Sequence, residues 1–369
     1  MHTEAHRLLF SPIQLGAVPL GHRVVMAPLT RQRSDQPGDL PNALMLEYYT
    51  QRASAGGLII TEATTIAVTG RGYLGAPGIY ADAQIAGWKK IVDAVHAKGG
   101  KIFLQLWHVG RVAHVELTGG EAPVGPSEIP WEGGRVFTKD GWVSPSPNRA
   151  LRLDEIPAVI EAYRAGAARA KAAGFDGVEI HGANGYLLDQ FLQDGTNHRT
   201  DAYGGSIENR ARLLVEVTQK VISVWGPDRV GVRLAPRSQF NAMHDSNPDA
   251  LFGYVGRELG RLGLAYVHVV EPRVNGNTAI GEGLPPVAAG QMKKAFRGNI
   301  IAAGGFEPDT AETLLDQGDA DLVAFGRHFI ANPDLPLRIK RRLPLNPYDR
   351  STFYGGTAHG YTDYPFYKE

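Results

Sequence analysis

Eight short apolar runs recur along the chain. They read VVMAPL (24–29), GLIITEAT (57–64), KIFLQLW (101–107), GVEIHG (177–182), VGVRLAP (230–236), YVHVVEP (266–272), IIAAGG (300–305) and LVAFGR (322–327). Several are nearly continuous rather than alternating, the pattern of strands covered on both faces in a parallel sheet. Helical periodicity separates most of them. GWKKIVDAVHAKGG (87–100) runs to a Gly-Gly stop, and the Ala-rich IPAVIEAYRAGAARAKAAGF (156–175) stops at Gly174. In SIENRARLLVEVTQKVISVWG, Ser206 offers an N-cap, and Leu213, Leu214, Val217, Val221 and Val224 fall along one face. Another helical stretch, EPDTAETLLDQGDADL, ends near Gly318. Strands alternating with helices in this way predict a single α/β domain over residues 1–369, a (β/α)8 TIM barrel.

Two segments break the repetition. Residues 1–23 read as a strand-turn lead-in with Gly16 and Gly21 at turns, and residues 108–150 form a Pro/Gly-rich insertion after the third strand. The insertion follows a strand's C-terminal end, the face on which barrels build their sites. Composition narrows the picture further. Lys plus Arg balances Asp plus Glu at 38 each, so no net field draws nucleic acid or an acidic membrane surface. The chain has no cysteine, which excludes disulfides, thiolate metal sites and cysteine nucleophiles. The start MHTEAHRLLFSPIQLG lacks the basic and apolar regions of a signal peptide, and no run approaches a membrane span. The expectation is a soluble, cytoplasmic protein.

Polar residues at strand ends are the candidates for chemistry: Thr30, Gln105, His181, Asn184 and Arg233. Gly304 and Gly305 end the seventh strand, and Gly326 and Arg327 end the eighth. Paired glycines and a forked cation there suit a phosphate, although turn glycines beside a surface arginine read the same way. Arg233 interrupts an apolar strand. It meets either an internal carboxylate, Glu62 or Glu179, or a ligand that gathers negative charge. Gln105 offers a donor and an acceptor, for the core or for a planar heterocycle. His181 and Asn184 together make a donor pair able to hold a developing oxyanion, and Tyr186 carries a deliverable proton. His108 and His114 have no metal-ligand spacing, so no metal is expected.

These residues fall in motifs that resemble the Old Yellow Enzyme family of FMN-dependent ene-reductases, in its threonine-containing branch. The motifs are MAPLTR, LQLWHVGR, HGANGYLLDQFLQDGTNHRTDAYGGSIENRARLLVEV, AAGGF, FGRHFIANPDLP and FYGGTAHGYTDYP, in order from the first strand to the C-terminus. The resemblance implies non-covalent FMN at the barrel mouth. Pro28, Thr30, Ala63, Gln105 and Arg233 match contacts to its ring, and Gly305, Gly326 and Arg327 match contacts to its phosphate. NADPH or NADH is implied as a transient hydride donor. His181 and Asn184 match the pair that binds the substrate's activating oxygen, and Tyr186 matches the proton donor. Trp107, Tyr73 and Tyr354 match aromatics of the substrate pocket. The implied reaction reduces the activated C=C bond of an unsaturated carbonyl or nitro compound, by hydride from FMN N5 and a proton from Tyr186. Reduction of nitrate esters or nitroaromatics is the alternative physiological role. The partner is a small electrophile, met by a monomer or homodimer. The stretch 237–249 and the insertion match the family less clearly.

Overall fold

A computed structural model describes residues 6–368 except 277 and 281–286, so the first five residues of the lead-in lie outside it. Eight parallel strands close on themselves. They are β1 (Val24–Met26), β2 (Leu58–Ile60), β3 (Lys101–Trp107), β4 (Gly177–Gly182), β5 (Val230–Leu234), β6 (Tyr266–Val270), β7 (Ile300–Ala303) and β8 (Leu322–Phe325). Each pairs with the next in sequence, and β8 returns to β1. The TIM barrel expected from the apolar runs is therefore the observed fold. The second strand resumes briefly at Thr64–Thr65, alongside the end of β3.

The near-continuous apolar runs have a simple origin. Successive side chains point to opposite faces, and here both faces are buried. Val178 and Ile180, Val230 and Val232, Val267 and Val269 pack outward against the helices. Val25, Leu58, Phe103, Tyr266, Ile301 and Leu322 fill the barrel interior. The lead-in hairpin, Ile13–Leu15 paired with Val18–Leu20, adds Leu15, Val18 and Leu20 to that same interior cluster and so closes the bottom of the barrel. Its turn needs Gly16: φ is +56°, and a Cβ there would stand 2.1 Å from the Asp228 carbonyl oxygen.

The outer layer comprises α1 (Ala43–Arg52), α2 (Asp82–Ala97), α3 (Ile156–Ala172), α4 (Ile207–Trp225), α5 (Pro248–Leu262), α6 (Ala288–Phe296), α7 (Pro308–Asp316) and α8 (Leu335–Arg341). In α4 the Ser206 hydroxyl accepts from Asn209 N–H, and Leu213, Leu214, Val217 and Val221 are buried as the period predicts; Val224 is only partly buried, and Trp225 takes the last inward place. The apolar runs alone did not reveal α1, α5, α6 and α8. Helices α1 and α5 begin at asparagine caps whose side chains accept from Met45 and Ala250 N–H. The insertion is ordered. Val136–Thr138 and Gly141–Val143 form a hairpin, and Leu74 N–H donates to Phe137 O, tying that hairpin to the loop after β2.

Candidate active site

The loops at the C-terminal ends of the strands surround one cavity of about 560 Å³. Pro28, Thr30, Ala63, Gln105 and Arg233 line it, together with Gly305, Gly326 and Arg327 from β7 and β8. His181, Asn184, Tyr186, Tyr73 and Tyr354 line it too. Every candidate read from the sequence reaches this cavity except Trp107. That residue is 1 % exposed and sits behind the wall, stacked on Tyr73 at 5.9 Å and on His181 at 6.4 Å, with the edge contact to Tyr186 at 5.0 Å. It holds the other three rings in place rather than lining the cavity.

His181 continues the inward parity of β4. Its Nδ1 accepts from Ala183 N–H at 3.3 Å, so its proton lies on Nε2. Burial holds this imidazole well below its usual range, and Arg233 and His268 add to the effect. His181 is thus a neutral donor. Asn184 follows in a left-handed turn with φ +58°, and Gly185 continues it at +72°. Asparagine and glycine tolerate that region best. Three buried side chains grip the turn. Asp189 accepts from Gly185 N–H at 2.8 Å, Gln190 donates to Gly185 O at 2.8 Å, and Asn241 donates to Asn184 O at 2.8 Å. Tyr186 then stands with its ring edge-on to His181 at 5.1 Å. Burial pushes its phenol up to about 12, partly offset by hydrogen bonds with the Tyr73 and Asn241 side chains. It stays protonated throughout the neutral range.

The opposite wall carries charge. Glu179 is fully buried and accepts from Gln105 Nε2 at 2.7 Å, Tyr266 OH at 3.1 Å and His268 Nδ1 at 2.9 Å. Because a carboxylate only accepts, Gln105 must turn its amide nitrogen inward, which leaves its carbonyl oxygen for the cavity. Neither Glu62 nor Glu179 pairs with Arg233. Glu62 is taken by Arg31 N–H and Tyr49 OH, and the Arg233 Nε is buried with no partner among the described residues. A buried donor left unmade is costly unless a ligand meets it. At the other end Gly305 adopts φ +71°, and a Cβ there would meet only Val274 Cγ1 at 3.7 Å. A free cation edge, an acceptor oxygen and an open glycine backbone beside Arg327 fit a planar heterocycle carrying a phosphate.

Residues 8–346 match the family described as NADH:flavin oxidoreductase / NADH oxidase. The chain belongs to this family, the Old Yellow Enzymes. It is an oxidoreductase of an FMN-dependent family. A flavin oxidoreductase, hxnT, of Emericella nidulans is 48 % identical, with 97 % of each chain covered. A 12-oxophytodienoate reductase 1 of Oryza sativa subsp. japonica is also 48 % identical, over 98 % of this chain and 93 % of that one. Morphinone reductase, solved in complex with tetrahydroNAD, superposes with a TM-score of 0.91 at 52 % identity, covering 98 % of both chains. The Old Yellow Enzyme homologue from Zymomonas mobilis gives 0.92 at 44 % identity, over 97 % and 99 %. Among the described residues of this Old Yellow Enzyme, no helix is long and apolar enough to cross a membrane.

Several cavity residues were not read from the sequence. Trp131, Arg135 and Trp142 come from the insertion, Phe240 and Asn241 from the loop after β5, and Tyr348 and Phe353 from the tail. Glu179 and His268 do not line the cavity but lie directly behind its polar wall. A glutamate inside an apolar strand was the one available signal for that group.

Proposed function

We propose that this Old Yellow Enzyme is an NAD(P)H-dependent ene-reductase acting on α,β-unsaturated carbonyl or nitro compounds. The observation that carries the reading is the convergence of a neutral His181, the Asn184 amide and a protonated Tyr186 on one cavity. Bound non-covalently, FMN would supply the hydride chemistry, with NADPH or NADH as the donor. Pro28, Thr30, Ala63, Gln105 and Arg233 would hold its ring, while Gly305, Gly326 and Arg327 would hold its phosphate. His181 Nε2–H and the Asn184 amide donate to the substrate's carbonyl or nitro oxygen. They stabilise the charge that oxygen gains, and the backbone turn that carries Asn184 is already held in place. Tyr186 holds the proton destined for the α-carbon. Tyr73 and Tyr354 line the space for the rest of the substrate.

The test is the visible spectrum of the purified chain. One FMN per chain is expected, its colour bleached by NADPH and restored by cyclohexenone. A chain that takes up no flavin on reconstitution would sink the reading.

A further inference from the structure

The interior of a barrel is normally filled by branched aliphatic side chains. Near its bottom this barrel obeys, with Val25, Leu58, Phe103, Ile301 and Leu322. One layer up, at the same inward parity, stand Gln105, Glu179, Arg233 and His268. Neighbouring strands set them side by side, Glu179 opposite Gln105 and Arg233 opposite His268. Glu179 and His268 are wholly inaccessible to solvent. The proposed reaction uses neither of them, and taking a carboxylate out of water is expensive.

The surroundings of Glu179 are built. Tyr266 reaches it by lying flat over Gly231, where a Cβ would stand 2.2 Å from the Tyr266 Cζ. Together with Gln105 and His268, it gives the carboxylate three donors. Burial alone would raise the Glu179 carboxyl, but His268, Arg233 and Gln105 outweigh it and hold it below the usual range. Burial holds His268 low despite Glu179, which accepts from its Nδ1. Glu179 thus places an anion near the Arg233 cation, with no salt bridge between the two among the described residues.

We infer that Glu179 is a positioning residue for the flavin site: it fixes the Gln105 amide and opposes the field of Arg233, setting how much more tightly reduced than oxidised FMN is held. The inference rests on the proposed flavin site. A ring edge that gains negative charge on reduction is attracted by Arg233 and repelled by Glu179 behind it. Removing the carboxylate charge leaves Arg233 unopposed, so the reduced form gains.

The experiment measures the midpoint potential of bound FMN and its dissociation constant from apoprotein in wild type, Glu179→Gln and Tyr266→Phe. Glu179→Gln removes the charge and keeps the shape. Tyr266→Phe removes a hydrogen bond to the same carboxylate and keeps the charge. Glu179→Gln is expected to raise the ratio of reduced to oxidised affinity about tenfold, a rise of ~30 mV for a two-electron couple. Tyr266→Phe should move it by less than a third of that. Glu179→Met, neutral and of similar length, carries the same expectation if the glutamine variant does not fold. An unmoved potential in both neutral variants, or an equal rise in Tyr266→Phe, overturns the inference. A wild-type chain that binds no FMN instead removes the reading beneath it, which the same titration reveals first.

Discussion

Tyr186 separates the two halves of the proposed cycle. Flavin reduction by NADPH needs no proton donor on the substrate, whereas enone reduction leaves an α-carbon that must be protonated. Tyr186→Phe removes the proton and keeps the ring that packs on Trp107 and His181. General acids of this kind contribute about 10²–10⁴-fold. Stopped-flow traces should show near-normal bleaching by NADPH and much slower recovery with cyclohexenone. Equal slowing of both would mean a structural role. The oxygen-binding pair has its own signature. Phenols should bind as phenolates between His181 and Asn184 and give a long-wavelength band with oxidised FMN. The His181→Ala, Asn184→Ala double variant should lose that band and keep the flavin; an unchanged phenol titration would show that the pair is misassigned.

At the scale of elements, what matters is how a loop from one strand steadies a turn from another. The loop after β5 was, with the insertion, one of two stretches that matched the family less clearly, and its role explains why. Asn241 and Ala242 both take positive φ, which no apolar period announces. Asn241 uses its amide on Asn184 O, and its own carbonyl accepts from Arg111 Nη2 at 3.2 Å. These contacts span strands far apart in sequence. Asn241→Ala frees the Asn184 carbonyl, a loss typically worth about 1 kcal/mol. Phenol affinity should fall roughly five- to tenfold, with FMN retention unchanged; unaltered affinity would mean that Asp189 and Gln190 hold the turn alone. The strand-end residues were legible for the opposite reason. Strand, polar residue and glycine are adjacent in the chain, and the barrel rule supplies the third dimension. Trp107 shows the limit of that rule. The resemblance placed it in the pocket lining, but Tyr73 and Tyr186 arrive from other loops and pack on its ring, leaving it buried. Arg233 was open between an internal carboxylate, Glu62 or Glu179, and a charged ligand; the closed barrel gives it neither carboxylate as an ion pair.

Across the whole molecule, burial of titratable groups ties stability to pH. The clearest case lies at the bottom of the barrel, far from the chemistry. His22 is buried there; its Nδ1 accepts from Val24 N–H and its Nε2 meets the Ser54 hydroxyl at 3.1 Å. Burial lowers its pKa to about 4. His108 is likewise lowered to about 4 by burial. In the unfolded chain both return to the ordinary histidine value of about 6.5. Between about 4 and 6.5 the unfolded chain therefore binds protons that the folded chain refuses, and stability rises with pH. The contribution is present in full above about 6.5 and disappears as pH falls toward 4, on the order of 3 kcal/mol for each histidine. Two buried carboxyls act the other way. Glu62 and Asp189 are pushed up to about 7, chiefly by burial. The folded chain keeps their protons where the unfolded chain has lost them, so their contribution shrinks as pH rises from about 4 to 7. A whole-protein curve mixes these opposed slopes, so the informative measurement is a difference. His22→Asn keeps a side-chain acceptor for Val24 N–H but cannot titrate. Its melting temperature should be lower than wild type at pH 7, where the native packing counts in full. The gap should narrow steadily toward pH 5, because wild type alone loses the histidine term. Parallel curves for the two proteins would mean that His22 takes up its proton in the folded state as readily as in the unfolded one.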